Sequence, residues 1–354
     1  MTGRALTLVG GALDVARLPA CAIRSARFID SARGGSVVVD LAECASVRSV
    51  PDLIVASRAD FDGALLTAAR EAGAAIEPAR VTNIVAERDG FRIDTAGGSQ
   101  HAAYVIGADG ANSLVRRRLA QPFRRDQLSI ATGYFAHGIA SDEIVIELVA
   151  HPPGYIWSFP RPTHLAIGIC AQADARVTAA TLRASVLDWI DRTGIASGAR
   201  LEPYSWPIPS LAPHDFDRQA LSGRGWCLVG DAAGLVDPIT REGIYFALLS
   251  GQWAAEAVAA DRAHADRRYA ERVREAIGAE LARAARFKSG FFQPRFTRLM
   301  IDALTHSEAI RHIMGDLVAG RQPYAGLEWR LARTLELGLA WRLLVSAKNI
   351  RTGV

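Results

Sequence analysis

Lysine is almost absent from this chain. Of its 41 basic residues only Lys288 and Lys348 are lysines, so arginine carries the positive charge. The net charge is +4 and the pI is about 9.0. That small excess fits anionic partners such as phosphates or a membrane surface, and no nucleic-acid partner is expected. Cysteine is scarce too, with four residues at Cys21, Cys44, Cys170 and Cys227. None forms a C-x-x-C pair, and no histidine stands at a zinc-like spacing from them. This argues against a disulfide framework and offers no metal centre; a reducing cytoplasm is the expected compartment. No apolar run reaches about 18 residues, so no transmembrane helix is expected. The N-terminal segment has no charged stretch leading into a clean apolar block, so no signal peptide is expected. Internal repeats and low-complexity tracts are lacking as well.

What is present is an ordinary globular composition, 50% hydrophobic and 22% charged, which is unlike a disordered chain. A chain of 354 residues has room for two domains and an extension. Residues 23–30 and 36–41 read as strands joined at Gly34-Gly35, and 52–58 as a third. Residues 59–73 have helical spacing, with Phe61, Leu65, Leu66 and Ala69 on one face. A hairpin over 80–95 turns at Asp89-Gly90. A buried strand, 103–108, runs into Asp109-Gly110 and a short basic helix, 113–119. From 128 to 170 four strands follow one another with Pro and Gly punctuation, the pattern of a largely antiparallel sheet. A helix over 179–192, a strand over 201–207 and a Pro-rich return segment lead to another buried strand at 225–230. Beyond Ile244 the pattern is helical. The expected fold is α/β: a Rossmann-like domain (1–119 and 216–260), interrupted by a largely antiparallel β-sheet domain (120–215) and followed by a helical C-terminal region (261–354).

Two stretches carry the chemistry of a nucleotide-like cofactor. In "GDAAGLVDPITREGI" (230–244) an acid, Asp231, follows Gly230 at the carboxyl end of a strand, where open α/β sheets bind ligands. Its carboxylate can accept hydrogen bonds from sugar hydroxyls. Ala232, Ala233 and Gly234 are small enough for a ligand to pass closely. The loop from Pro238 to Gly243 opens a helix at Ile244, and a helix N-terminus favours negative charge. In "YVIGADGANSLVRRRL" (104–119) a second strand ends in Asp109-Gly110. Asp109 can hold a sugar or fix the loop, and Gly110 permits close approach or positive φ. A third stretch, "YIWSFPRPTHLAIGIC" (155–170), places Tyr155, Trp157 and Phe159 at alternate positions, so that they share one strand face as an apolar wall.

The first two stretches and their order resemble the FAD-dependent oxidoreductases of the aromatic-hydroxylase type. The third, Y-x-W-x-F-P followed by seven residues and Gly168-x-Cys170, resembles the geranylgeranyl reductase family. That resemblance implies FAD as cofactor, with Asp109-Gly110 near its pyrophosphate, Gly230, Asp231 and Ala232 along its ribityl and phosphate groups, and Pro238, Gly243 and Ile244 along its ring. "RADFDGALLTAAREAGA" (58–74) resembles the family's helix start, where Arg58 would reach toward FAD; a surface ion pair is the other reading. Tyr155, Trp157, Phe159 and Gly168 would line the pocket for an isoprenoid chain, narrowed where Cys170 replaces the family's second Gly. Stretch 315–327 resembles the family's closing helical region. The implied reaction is reduction of C=C bonds of an isoprenoid or similar lipid by hydride from reduced flavin. NAD(P)H or ferredoxin would donate the electrons, and Tyr155 or water the proton.

The family's Gly-x-Gly-x-x-Gly turn is not found. The early candidate "LTLVGGALDVARL" (6–18) has Gly10-Gly11 but no third glycine, and Asp30, at nearly the distance of the expected acid, precedes a Ser-Ala-Arg-Gly-Gly turn. Residues 1–20 therefore read as the tail of a later helix, with the chain starting on the order of 30–50 residues late. An internal start is the favoured explanation over a natural loss of FAD or a first unit on a separate polypeptide. Two rival functions stay open: an aromatic hydroxylase, and a non-enzymatic remnant or lipid-binding module. The closing stretch 327–345 puts Leu327, Leu331, Leu335 and Leu339 on one helical row, off which Arg330, Arg333 and Arg342 lie. The row reads as core packing in preference to peripheral membrane contact.

Overall fold

A computed structural model describes residues 1–30, 34–41, 53–173 and 177–334. The chain divides into two compact units. The first comprises residues 1–64, 129–206 and 286–354; the second comprises 65–128 and 207–285.

The first unit is built on a seven-stranded sheet. Four strands, Leu128–His137, Glu143–Ala150, Pro153–Arg161 and His164–Gln172, form the antiparallel array expected from the Pro and Gly punctuation. Arg200–Pro209 forms one edge. On the other side the strand Ser25–Asp30 adds parallel to Glu143–Ala150, with Ile146 opposite Phe28, and Gly35–Asp40 completes the sheet. Both faces are covered. The helix Ala179–Thr193 is capped by Thr178, whose hydroxyl accepts from the Thr181 N–H, and it buries Leu182, Val186, Trp189 and Ile190 against Ile167 and Ile169. On the opposite face Phe296, Met300 and Leu304 of the helix Pro294–His306 pack on Ala26, Phe28 and Ile144. Burying large apolar side chains of this kind contributes about 1.5–3 kcal/mol each.

Two expectations about domain boundaries change here. The 1–119 segment does not stay together: Ser25–Asp30 and Gly35–Asp40 hydrogen-bond into the large sheet, because their alternating apolar side chains (Ala26, Phe28 and Val39) need the cover of the C-terminal helices. The helical region does not form a body of its own either. Tyr269, Val273 and Leu281 belong to the core of the second unit, whereas Phe296 to Ile313 belong to the sheet. Among the closing helical row, Leu331 is buried with that sheet core, and Arg330 is paired with Asp316. Cys44 and residues 335–354, including Leu335, Leu339 and Arg342, lie outside the described residues.

The second unit holds a small sheet in which Val105–Gly107 runs parallel to Trp226–Leu228, with Ser222–Gly223 antiparallel beside it. A three-stranded meander, Val81–Glu87, Gly90–Thr95 and Gly98–Ala102, extends the hairpin read from Asp89-Gly90 by one strand. Its third strand carries mostly polar residues, "GSQHA", which hide it from a hydrophobicity pattern. The 17-residue helix Ile244–Ala260 packs Phe246, Trp253 and Ala254 on the small sheet.

Candidate functional site

The paired strands Val105–Gly107 and Trp226–Leu228 end side by side, and their parallel run brings the two motifs of the second unit together. Beyond Leu228 the backbone is locked: the Val229 N–H donates to the Gly107 carbonyl at 2.9 Å. The chain then enters a 3-10 turn, Gly230–Ala233. Gly230 has φ +53°, and a Cβ there would meet the Ala247 Cβ at 2.9 Å. Its N–H donates to the buried Ser250 hydroxyl at 3.0 Å, which donates to the Phe246 carbonyl at 2.6 Å. The turn is thus pressed onto the first turns of the helix that starts at Ile244. Ala232, Ala233 and Pro238 are buried.

Asp231 sits against the start of the same helix. A Cβ on Gly243 would lie 3.1 Å from its Oδ1. Gly243 is the N-cap and supplies no side chain to cap the helix. A carboxylate and an anion-favouring helix terminus are therefore adjacent. The loop between them is rigid. Asp237 Oδ1 accepts from the N–H groups of Ile239 and Thr240 at 2.7 and 3.0 Å, and the Asp237 N–H donates to the Glu242 carbonyl at 3.0 Å. Arg241 is the one non-glycine residue at positive φ among those described, at +62°, a conformation costing about 1–2 kcal/mol. Its guanidinium donates to the Ser210 hydroxyl at 2.7 Å.

Asp109 is placed differently from a free sugar ligand. Its Oδ2 accepts from the Leu114 and Val115 N–H groups at 2.6 and 3.2 Å. These bonds fix the loop, which is one of the two roles open from the sequence. Gly110 follows at φ +77° with no atom within 4 Å of a Cβ, so the need there is conformational. The short helix Leu114–Leu119 supplies a residue that the sequence did not reveal. Arg116 is buried, donates to the Ala232 carbonyl at 3.1 Å, and lies 3.9 Å from the Phe123 ring centroid. Burial pushes its pKa down to about 10. It ties the Asp109 loop to the Asp231 turn.

Tyr155, Trp157, Phe159, Gly168 and Arg58 lie in the first unit. The aromatic row is present: Tyr155 and Trp157 have ring centroids 5.5 Å apart, Trp157 and Phe159 6.0 Å. Phe292 extends it, stacked on Tyr155 at 6.5 Å. Tyr155 and Trp157 are buried and Phe159 is half-buried. Gly168 is the cross-strand partner of Trp157. A Cβ on it would meet Trp157 Cζ2 at 2.6 Å and the Tyr204 hydroxyl at 2.3 Å. Gly168 therefore makes room for the indole, a role in shaping the wall. Arg58 is exposed and bonded to Asp62 at 3.0 Å across one helical turn.

Asp237, Arg241, Ser250, Arg116 and Arg161 are the residues of interest that the sequence reading did not single out. Asp237-Pro238 was a readable turn signal. The burial of Arg116 and the left-handed backbone of Arg241 leave no local trace.

The strand–turn–helix with its acidic turn defines an FAD-binding oxidoreductase fold. The family signature described as "FAD binding domain" matches residues 22–191. Digeranylgeranylglycerophospholipid reductase 2 of Methanothermobacter thermautotrophicus is 29% identical over 256 residues, covering 66% of this chain and 64% of that protein. Menaquinone reductase of Mycolicibacterium smegmatis is 31% identical over 215 residues, covering 56% and 52%. The chain thus spans about half to two thirds of the length of these relatives. A geranylgeranyl bacteriochlorophyll reductase-like protein from Thermoplasma acidophilum shares the fold, with TM-score 0.74 at 19% identity over 94% of this chain and 88% of that one. The chain is similar to FAD-dependent reductases of the geranylgeranyl reductase type. The match to an FAD binding domain makes FAD the cofactor. The residues of the second unit fit it: a carboxylate at a strand's end, a floor of Ala232 and Ala233, and a helix start whose Gly243 leaves no room for a side chain beside Asp231.

Proposed function

We propose that this protein reduces carbon–carbon double bonds of an isoprenoid or similar lipid. FAD, when bound, supplies the hydride. The chain's own residues do the rest. Asp231 binds ribityl hydroxyls, while Asp109 and Arg116 hold the two cofactor-facing loops in register. The N-terminus of the helix at Ile244 stabilises negative charge on the ring. Tyr155, Trp157 and Phe159 hold the apolar chain and exclude water. Tyr155 is the candidate proton donor, with water as the alternative, and a reductant recharges the cofactor. One observation carries the lipid assignment: an aromatic row along one strand face, with a glycine opposite Trp157 that leaves room for the indole. Relatives named as digeranylgeranylglycerophospholipid and menaquinone reductases support it.

The test is anaerobic. The protein is loaded with FAD, reduced with dithionite and mixed with geranylgeranyl diphosphate. Reoxidation of the flavin band, together with a product heavier by two hydrogens per reduced bond, is the expected result. Failure to take up FAD, or turnover only in oxygen with an oxygen atom in the product, sinks the reading; the second outcome identifies a hydroxylase.

A further inference from the structure

The aromatic row does not end at Phe159. Two residues further along the same strand, and on the same face, stands Arg161. Tyr155 to Arg161 spans about 20 Å at the rise of a strand. The row begins buried at Tyr155 and Trp157 and becomes half-buried at Phe159 and Arg161. Its accessible end is therefore its charged end.

The surroundings of Arg161 are unusual for a cation. Its guanidinium lies 5.1 Å from the Phe135 ring centroid. Its Nη1 is 3.5 Å from His164 Nε2, and its buried Nε has no hydrogen-bond partner. No carboxylate pairs with it among the described residues. Glu202, the acid in this neighbourhood, is 3.1 Å from His137 instead. Burial first, and then the charges of Arg161 and His137, lower the His164 pKa against the pull of Glu202. A neutral His164 whose Nδ1–H donates to the Thr163 hydroxyl, 3.1 Å away, leaves Nε2 to accept from Arg161. Burial lowers the Arg161 pKa, Tyr204 opposes that shift, and the Arg58 charge adds to it. Among the described residues, this half-buried guanidinium stands beside a ring and a histidine with no carboxylate as counter-ion.

We propose that Arg161 is the anchor for an anionic head group, a phosphate or carboxylate, of a chain-bearing substrate, and that His164 is a positioning residue that holds the guanidinium for it. The apolar chain runs from this head toward Trp157 and Tyr155. The inference rests on the reading that the aromatic row holds a lipid chain. It adds a polarity to that row and a preference among lipids: acidic amphiphiles over neutral ones of the same chain.

Calorimetric titration of the full chain, with FAD added, tests this without any turnover. The probes are geranylgeranyl diphosphate and geranylgeraniol. The wild type binds the diphosphate more tightly. Arg161→Gln weakens the diphosphate by about 10- to 100-fold, the range for a lost charge-assisted hydrogen bond, and moves the alcohol by less than about threefold. Arg161→Lys restores part of the preference. His164→Leu reduces the diphosphate-to-alcohol ratio, whereas His164→Gln, which keeps an acceptor for Arg161, retains it. Equal weakening of both probes, or a wild type that does not distinguish them, overturns the proposal. A separate titration with FAD identifies the other source of phosphate: if Arg161→Gln loses FAD affinity and keeps the head-group preference, the arginine serves the cofactor and the proposal fails. Head-group preference without any C=C reduction leaves this anchor standing and removes the reductase reading alone.

Discussion

Gly230→Ala is the sharpest test of how the cofactor turn is held. Gly230 has φ +53°, and an added Cβ would lie 2.9 Å from the Ala247 Cβ and 3.2 Å from the Ala247 Cα. The left-handed backbone costs a Cβ-bearing residue about 1–2 kcal/mol. Forcing the methyl against a helix backbone costs about 1–3 kcal/mol more. The sum is about 2–5 kcal/mol, a fall in melting temperature on the order of 10 °C. The turn cannot shift without stretching the Gly230–Ser250 hydrogen bond, so FAD affinity falls by at least about tenfold. Circular-dichroism melts and flavin-fluorescence titration read the two effects. Ala247→Gly removes one half of the clash at its own cost of about 1 kcal/mol. In the double variant the losses combine to less than their sum, by about 1–2 kcal/mol. An unchanged melt for Gly230→Ala, or strictly additive variants, refutes the reasoning.

Three further outcomes are expected. Burial raises the hydroxyl pKa of Tyr204 and of Tyr269, and pushes the Cys227 thiol up to about 11. These groups keep their protons in the folded state when the unfolded chain ionises, so the stability they contribute is complete below the unfolded pKa values of about 9–10 and declines above them. Tyrosinate absorbance followed against circular dichroism will show these two tyrosines ionising only as the fold is lost. Gly168→Ala pushes its methyl into Trp157 and Tyr204, costing about 1–3 kcal/mol; near-ultraviolet circular dichroism will report the displaced indole, and an unaltered spectrum argues against the packing described. Glu147 is buried and accepts from Trp189 Nε1 at 2.8 Å and Arg192 at 3.2 Å; in Glu147→Ala the unpaired indole N–H costs about 1–3 kcal/mol, measured as a shift of the urea midpoint, whereas Glu147→Gln keeps most of it.

The four central strands of the large sheet were legible because each is a short alternating run closed by Pro or Gly, a signal contained in a few consecutive residues. The partner of Ser25–Asp30 was not. Its pairing with Glu143–Ala150 joins segments far apart in sequence, and strand alternation says which side chains share a face but not which strand lies alongside. The candidate site divides in the same way. The strand–acid–small-residue–helix order of 226–244 was legible as a strand, a tight turn and a helix start. Asp109 had two readings, and the bonds that make the loop-fixing one, from the Leu114 and Val115 N–H groups, are seen only in the structure. Gly168 looked like part of a pocket wall by spacing alone, yet what demands the glycine is the indole across the strand and the Tyr204 hydroxyl.

The amino-acid order by itself determined the alternation that puts Tyr155, Trp157, Phe159 and Arg161 on one strand face, the acid at the end of a buried strand, and the turn and cap residues that end each element. These follow from local backbone geometry, which a few neighbouring residues are enough to set. Tertiary structure decided the rest: that Asp231 meets Gly243, that Arg116 reaches the Ala232 carbonyl, and that Arg161 stands beside His164 and a ring with no acid paired to it among the described residues. Register, burial and the absence of a counter-charge depend on which distant segments pack together, and no window of the sequence contains that information.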